Sequence, residues 1–339
     1  MYDRIVAVAS AELKAVDPLR VIEGGRLWLR GSGFPVPGAS EAASETLCTI
    51  GGLPARVVFS GPDRMAVEVP AGLDGGPTEV KVPWLPGATL FVEVGVKLAT
   101  GFHQVDNPAI DRDGRVYVTY SGARGQQAPV SVFRITEPGG PREPFVMGIV
   151  NVTSMVFGPD GRLYLSSRFD GTVYRVFDDG RHEVMASDLG LACGLAFAPD
   201  GTLFVGDRGG TIFHIDEKGR TQIFATLPAS IAAFHLAMGP DACLYVTGPT
   251  LGTYDRIYRL NADGGVETID QTFGRPQGLA FAADGTLHIV EALAGSSGVY
   301  QMRSTGKTLV AAGPRLVGLA FGPAGRVVVA GSDTVYAFG

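Results

Sequence analysis

From Val96 to Gly339 the apolar and polar positions repeat in a unit of about forty residues, best formed as GLAFAPDGTLFVGDRGGTIFHI over Gly194–Ile215. Each unit carries an apolar run, a turn and an alternating run. The turns are Asp113-Gly114, Asp160-Gly161, Asp200-Gly201, Asp241-Ala242, Asp284-Gly285 and Ala324-Gly325. The runs after them read RVYVTY, RLYLSS, TLFVGD, CLYVTG, TLHIVE and RVVVAG. An Asp-Gly pair between alternating apolar runs predicts a hairpin, because both turn residues tolerate positive φ. A third strand carries one aromatic per unit: Phe133, Tyr174, Phe213, Tyr258, Tyr300 and Tyr336. A weaker fourth strand follows in five units, and the sixth stops at Gly339 without one. Four strands per unit, repeated radially, predict a six-bladed β-propeller. The segment Val96–Ala99 stands where an outer strand would and is expected to complete the last blade. Closure of that kind removes exposed sheet edges.

Residues 1–95 lack the repeat. Leu27, Leu29 and Phe34 alternate with polar or small residues, as in a half-buried strand. Turn chemistry recurs about every ten residues, at Thr49-Ile50-Gly51-Gly52, Ser60-Gly61-Pro62-Asp63 and Asp74-Gly75-Gly76. That spacing predicts a small antiparallel sandwich. The whole chain is therefore expected to be all-β, an immunoglobulin-like sandwich over 1–95 followed by a propeller over 96–339. An insert of small and acidic residues, Pro35–Thr46, is expected as a surface loop.

Composition narrows the partners. Net charge is −6 and charged residues make up 18% of the chain, with no run of Lys and Arg. Nucleic acid and anionic membranes are not expected partners. Gly (48) and Pro (22) are abundant, which suits many short strands and turns. Cys48, Cys193 and Cys243 show no CxxC spacing and an odd count, which argues against a disulfide framework, and Cys193 and Cys243, in apolar strand contexts, read as buried inert thiols. The first eighteen residues hold too short an apolar run for a secretion leader, which points to the cytoplasm, or to export if a leader has been removed.

Candidate chemistry lies just ahead of each inner strand, where a propeller opens its channel mouth. Six residues before the turns stand Asn107, Ser154, Gly194, His235, Gly278 and Gly318. One position earlier stand Asp106, Thr153, Cys193, Phe234, Gln277 and Val317. His235 is the singular one, since glycine dominates its column. With Asp106 it forms the candidate acid/base pair; otherwise it bonds a neighbouring blade's carbonyl. The second strands end in another polar set: Tyr120, Arg168, Asp207, Arg208 and Glu291. Two guanidiniums in one column could clamp a carboxylate or phosphate. The plainer arrangement pairs Arg168 with Asp170 and Arg208 with Asp207. Together with Asn107 and Gln277 these form the expected ligand lining. His103 is expected near the same mouth, and His182, His214 and His288 are expected to be structural. No nucleophile elbow, P-loop, zincin motif or dinucleotide fingerprint is present.

Two resemblances add to this. Pro18, Gly24-Gly25, Gly31-Ser32-Gly33-Phe34, Ile50-Gly51-Gly52 and Val69-Pro70-Ala71 followed by Gly75-Gly76 resemble the IPT/TIG family, whose members act as spacers or interaction modules, some of them on DNA. The repeat resembles NHL-repeat proteins and the six-bladed propellers of the gluconolactonase group. That second likeness implies a divalent ion, usually calcium, near the channel, with Asp106, Asn107, Asn151 and Glu291 as the oxygen donors this chain offers. The asparagine such lactonases place before Gly-Leu-Ala is replaced here by Cys193, Gln277 and Val317. Virginiamycin lyases also use a mouth histidine, although their motif has no match in this chain. The expected activities are a binding propeller for a small polar or anionic ligand or a partner peptide, a lactonase-like hydrolase or lyase, or a protein-interaction scaffold.

Overall fold

A computed structural model describes residues 12–34, 47–83, 85, 89–123 and 125–339. The loop expected over 35–46 lies outside the described residues. The described chain is all-β, its one helical element being a 3-10 turn at Pro323–Gly325. It divides into two compact units, one of residues 1–96 with 310–313 and 338, the other of residues 97–309, 314–337 and 339.

In the first unit one sheet takes the order Glu12–Asp17, Arg26–Ser32, Arg64–Glu68, Arg56–Ser60. A second runs Arg20–Val21, Thr89–Val94, Gly76–Lys81, Thr49–Ile50, Leu53–Pro54. Alternation decides the faces: Leu27, Leu29, Met65 and Val67 are buried, as are Ile50, Val80 and Val92, while Arg26, Arg30 and Arg64 are exposed.

The second unit holds five separate four-stranded sheets, and four further consecutive strands, Pro276–Phe281, Leu287–Glu291, Gly298–Arg303 and Gly306–Ala312, neighbour one another in the same order within a larger sheet. Their inner strands are Ala109–Ile110, Val152–Phe157, Ala192–Phe197, His235–Met238, Pro276–Phe281 and Leu316–Phe321. Each inner strand packs against the next, and the last packs against the first. The strand Val96–Thr100 lies beside Thr334–Phe338 as the outer member of the last array.

The cores lie between the faces of neighbouring arrays. Tyr164, Leu195, Leu203 and Val205 fill one such layer, and Phe204, Ile212, Leu236 and Val246 the next. Another holds Leu98, Phe102, Val116, Val118, Val328 and Val335, from the first and last arrays. Each buried Leu, Val or Phe contributes roughly 1.5–3 kcal/mol, so these layers hold neighbouring arrays together.

Adjacent arrays also meet through rings. Tyr117 stands edge-on to Phe157, Tyr164 to Phe197 and Tyr245 to Phe281, at 5.3, 4.8 and 4.9 Å between centroids. The hydroxyls of Tyr164 and Tyr245 donate to the turn aspartates Asp160 and Asp241, each at 3.0 Å. Glycine serves the turns by its positive φ, 76° at Gly161 and 91° at Gly201. Ala242 takes the same left-handed geometry, with φ 57°.

Candidate functional site

Antiparallel succession places the starts of all inner strands, and the ends of all second strands, at one end of the arrays. At that end the backbones converge. A Cβ on Gly278 would lie 2.0 Å from the Asn107 side-chain oxygen, and one on Gly318 would lie 2.5 Å from Asn107 Cα. Neither glycine has positive φ, so the requirement there is space rather than conformation. Polar side chains at this end bind the backbones of other arrays. Asn107 donates from Nδ2 to Leu279 O at 2.8 Å and accepts from Leu319 N–H at 3.0 Å. Ser154 Oγ accepts from Leu195 N–H, and Thr247 Oγ1 donates to Gln277 O at 2.6 Å. Two of the inner columns' polar candidates, Asn107 and Ser154, are thereby spent on joining arrays.

His235 and Asp106 are arranged otherwise. His235 belongs to the fourth inner strand, and Asp106 precedes the first, 129 residues away along the chain. They nevertheless meet, with His235 Nδ1 and Asp106 Oδ1 2.6 Å apart. Both are buried, at 0% and 2% exposure, so the bond lies out of contact with bulk solvent. Asp106 Oδ1 also accepts from the Asn107 N–H at 2.7 Å. With Asp106 as the carboxylate, Nδ1 carries the ring proton and Nε2 is left as the basic nitrogen. Nε2 is buried and has no hydrogen-bond partner among the described residues. His235 thus bonds the Asp106 carboxylate, and not a neighbouring carbonyl.

Sequence reasoning missed Gln104, whose exposure is 1%. Its Nε2 donates to Asp106 O at 2.7 Å, and its Oε1 accepts from Thr119 N–H and Oγ1. Gln104 has no counterpart in the repeat, so only its position two residues before Asp106 marked it.

Arg208 donates from Nε to Ser230 O and from Nη2 to Ile231 O, at 3.2 and 2.7 Å, instead of pairing with Asp207. Asp207 accepts from Leu191 N–H at 2.8 Å. Glu291 accepts from the amides of Gly274, Arg275 and Leu293. Both acids thus fasten the loop that leads into their own array. The Arg168 backbone N–H donates to Asn151 O at 3.4 Å. Asp170, its expected partner, accepts from the Tyr174 hydroxyl at 2.6 Å. Tyr120 bridges to His103 through the backbone and stands 6.4 Å from Phe133. Gln277 is buried. His214 pairs with Gln222, and His288 lies edge-on to Phe321.

The proposed oxygen donors for an ion do not fit one. Asp106 faces His235, and Asn107 and Glu291 are committed as described. Asn151 holds the loop at Ser121–Gly125, accepting from Gly125 N–H and donating to the carbonyls of Ser121 and Ala123. Calcium wants six or more oxygens around one point. Among the described residues no group of three or more His, Cys, Asp or Glu is placed to hold a metal ion. Cys193 lies close by, but burial pushes its thiol up to about 12 and its Sγ donates to Leu191 O, so it supplies no thiolate.

The opposite end has a different character. A cavity of ≈ 810 Å³ opens there, walled by Phe157, Phe197, Met238 and Phe281 with Pro159, Pro199 and Pro240. No titratable pair faces it comparable to Asp106 and His235.

The IPT/TIG domain model matches residues 12–83. That segment is a TIG domain. No curated protein sequence matches the chain. Solved structures resemble it along nearly its full length. A protein of unknown function from Bacteroides thetaiotaomicron matches with a TM-score of 0.59 at 12% identity, covering 97% of this chain and 98% of that one. An auxiliary nutrient binding protein from Bacteroides ovatus matches with a TM-score of 0.56 at 13% identity, again over 97% and 98%. A putative gluconolactonase covers 71% of this chain and 90% of its own, with a TM-score of 0.56 at 19% identity. At these identities the likeness is one of fold: a TIG domain and a propeller-like β structure.

Proposed function

We propose that residues 96–339 form a six-bladed propeller closed by Val96–Thr100, preceded by a sandwich over 1–95, and that the protein binds a small polar or anionic ligand, or a partner peptide, at the propeller end where His235 lies. One observation carries this. Nε2 of His235 is buried and unpartnered while Asp106 fixes the other ring nitrogen. An unpaired buried polar atom costs about 1–3 kcal/mol, so a ligand donor or acceptor offered there gains more than it would in water. The likeness to a nutrient binding protein supports a binding role. The second reading is a hydrolase or lyase of lactones or sugar acids with His235 as general base, a role that an Asp-oriented imidazole suits. It draws on the likeness to a putative gluconolactonase. Neither reading routes a step through a metal ion.

The test is thermal stabilisation of the full chain by gluconate, glucuronate, glucono-δ-lactone and short peptides, with base uptake followed for the lactone. A rise in melting temperature that is lost in both His235→Ala and Asp106→Ala supports binding at this site. Lactone turnover lost in the same variants supports the enzyme. Stabilisation or turnover that survives both substitutions would place the function elsewhere.

A further inference from the structure

The sandwich carries a second feature, independent of His235. Register brings Asp17, Trp28, Ala66 and Phe59 into one row across the outer face of the first sheet: Asp17 pairs Trp28, Trp28 pairs Ala66, and Ala66 pairs Phe59. Two residues to one side lie Arg30 and Arg64, which pair with each other in register. Two residues to the other side lie Arg26, Glu68 and Arg56. Period two puts all of these on the same, solvent-facing side. Four guanidiniums therefore share this face with two carboxylates, in a chain whose net charge is −6.

The arginines are not equivalent. Arg30 donates from Nε to Asp17 at 2.8 Å, and Arg56 pairs with Glu68. Arg64 instead lies over two rings, 5.4 Å from the Trp28 centroid and 5.5 Å from that of Phe59. Neither Arg64 nor Arg26 has a carboxylate within ion-pair reach among the described residues. A guanidinium stacked on aromatics keeps its edge N–H groups outward and loses little further entropy on meeting a carboxylate. Such a fork takes a carboxylate in bidentate fashion.

We propose that this face docks an extended acidic segment of a partner protein. Of the two unneutralised guanidiniums, Arg64 lies over the aromatic row and Arg26 stands two residues to one side of it. The fitting segment is an extended strand with two carboxylates, one for each guanidinium, and an apolar side chain that reaches the exposed edge of Phe59. Phe59 is 43% exposed, so contact there removes apolar surface from water. A sugar ring would need the aromatic faces that Arg64 covers. A phosphate backbone would meet the acidic charge of the whole chain.

The experiment is fluorescence anisotropy on the full chain at about 20 mM salt, where surface charge is least screened. The probe is labelled Glu-Ser-Leu-Ser-Glu, compared with Gln-Ser-Leu-Ser-Gln. Competitors are trigalacturonate and a short single-stranded DNA. The acidic peptide is expected to bind about tenfold more tightly than the amide peptide. Arg64→Gln and Arg26→Gln should each weaken it by about tenfold, and Arg64→Lys by less, since lysine keeps the charge but not the fork. Arg162→Gln, which removes a guanidinium stacked on Phe177 at 4.9 Å in the other unit, should leave binding unchanged. Equal binding of the two peptides, equal loss in Arg162→Gln, or displacement by trigalacturonate or DNA at lower concentration than by unlabelled acidic peptide would each overturn the proposal. None of these outcomes depends on the reading of His235.

Discussion

The two ends of the arrays are made from the same strands, yet they follow different rules. At the hairpin-turn end the same parts recur: a turn aspartate, a tyrosine that donates to it, and an aromatic of the next array against that tyrosine. At the other end the columns hold Asn107, Ser154 and His235, each with different partners, beside Gly194, Gly278 and Gly318, which all leave room for a neighbouring array. The turn end is spread over a wide perimeter, so each array solves its packing with its nearest neighbour alone. The opposite end brings the inner strands together, so a side chain added to one displaces another. Residues there differ because the space must be shared out, and one histidine takes the share that several glycines give up.

The largest test of that contrast uses the last inner strand and the glycine just beyond it. Gly318→Ala puts a Cβ against Asn107 backbone at 2.5 Å, whereas Gly322→Ala meets only the Ile110 side chain at 3.2 Å. Urea unfolding should show a loss of about 3 kcal/mol for the first and under about 1 kcal/mol for the second. Similar losses would mean that the strands do not converge as described.

The next test concerns the bond across the ring. Asp106→Ala and His235→Ala should each cost about 2 kcal/mol, and the double variant should cost less than their sum by about 1.5 kcal/mol. Strict additivity in that cycle would show that the 2.6 Å contact carries no coupling.

The smallest effect belongs to the turn end and appears with pH. Backbone donation from Thr202 holds the Asp200 carboxylate below its ordinary value of 3.8, and Thr286 does the same for Asp284. A carboxylate depressed in the folded state adds stability that is present above 3.8 and lost as pH falls through the lowered value. The urea midpoint should therefore be level from neutrality to about pH 5 and decline below 3.8. Asp200→Asn with Asp284→Asn should shallow that decline. An unchanged acid limb would remove these turns from the account.

How much was legible depended on repetition. The strand arrays could be read because Asp-Gly turns and aromatic columns recur, and each copy confirms the last. The ligand lining was read from the same columns, and most of it went to other uses. Arg208 was expected beside Asp207 or in a clamp, but its reach lets it cap the carbonyls of Ser230 and Ile231. Glu291 was a candidate ion ligand, but three backbone amides lie nearer than any ion could. Sequence order does not rank such local partners, because loop conformation decides which amides point inward. The Asp106–His235 pair was named as two residues of one mouth. That they bond directly follows from the convergence of the inner strands, which brings the first and the fourth to one place.

What the sequence by itself determined is the periodic part. Period-two alternation and positive-φ turns set the strands, the buried faces and the number of repeats, because these are local properties of the chain. Tertiary structure decided which isolated residues meet. Residues 106 and 235 are brought together by the packing of the inner strands, and Arg26, Arg30, Arg56 and Arg64 by strand register, although no run of basic residues marks them. Pairing across a sheet or around a ring joins positions that have no relation along the chain, and chemistry requires just such meetings.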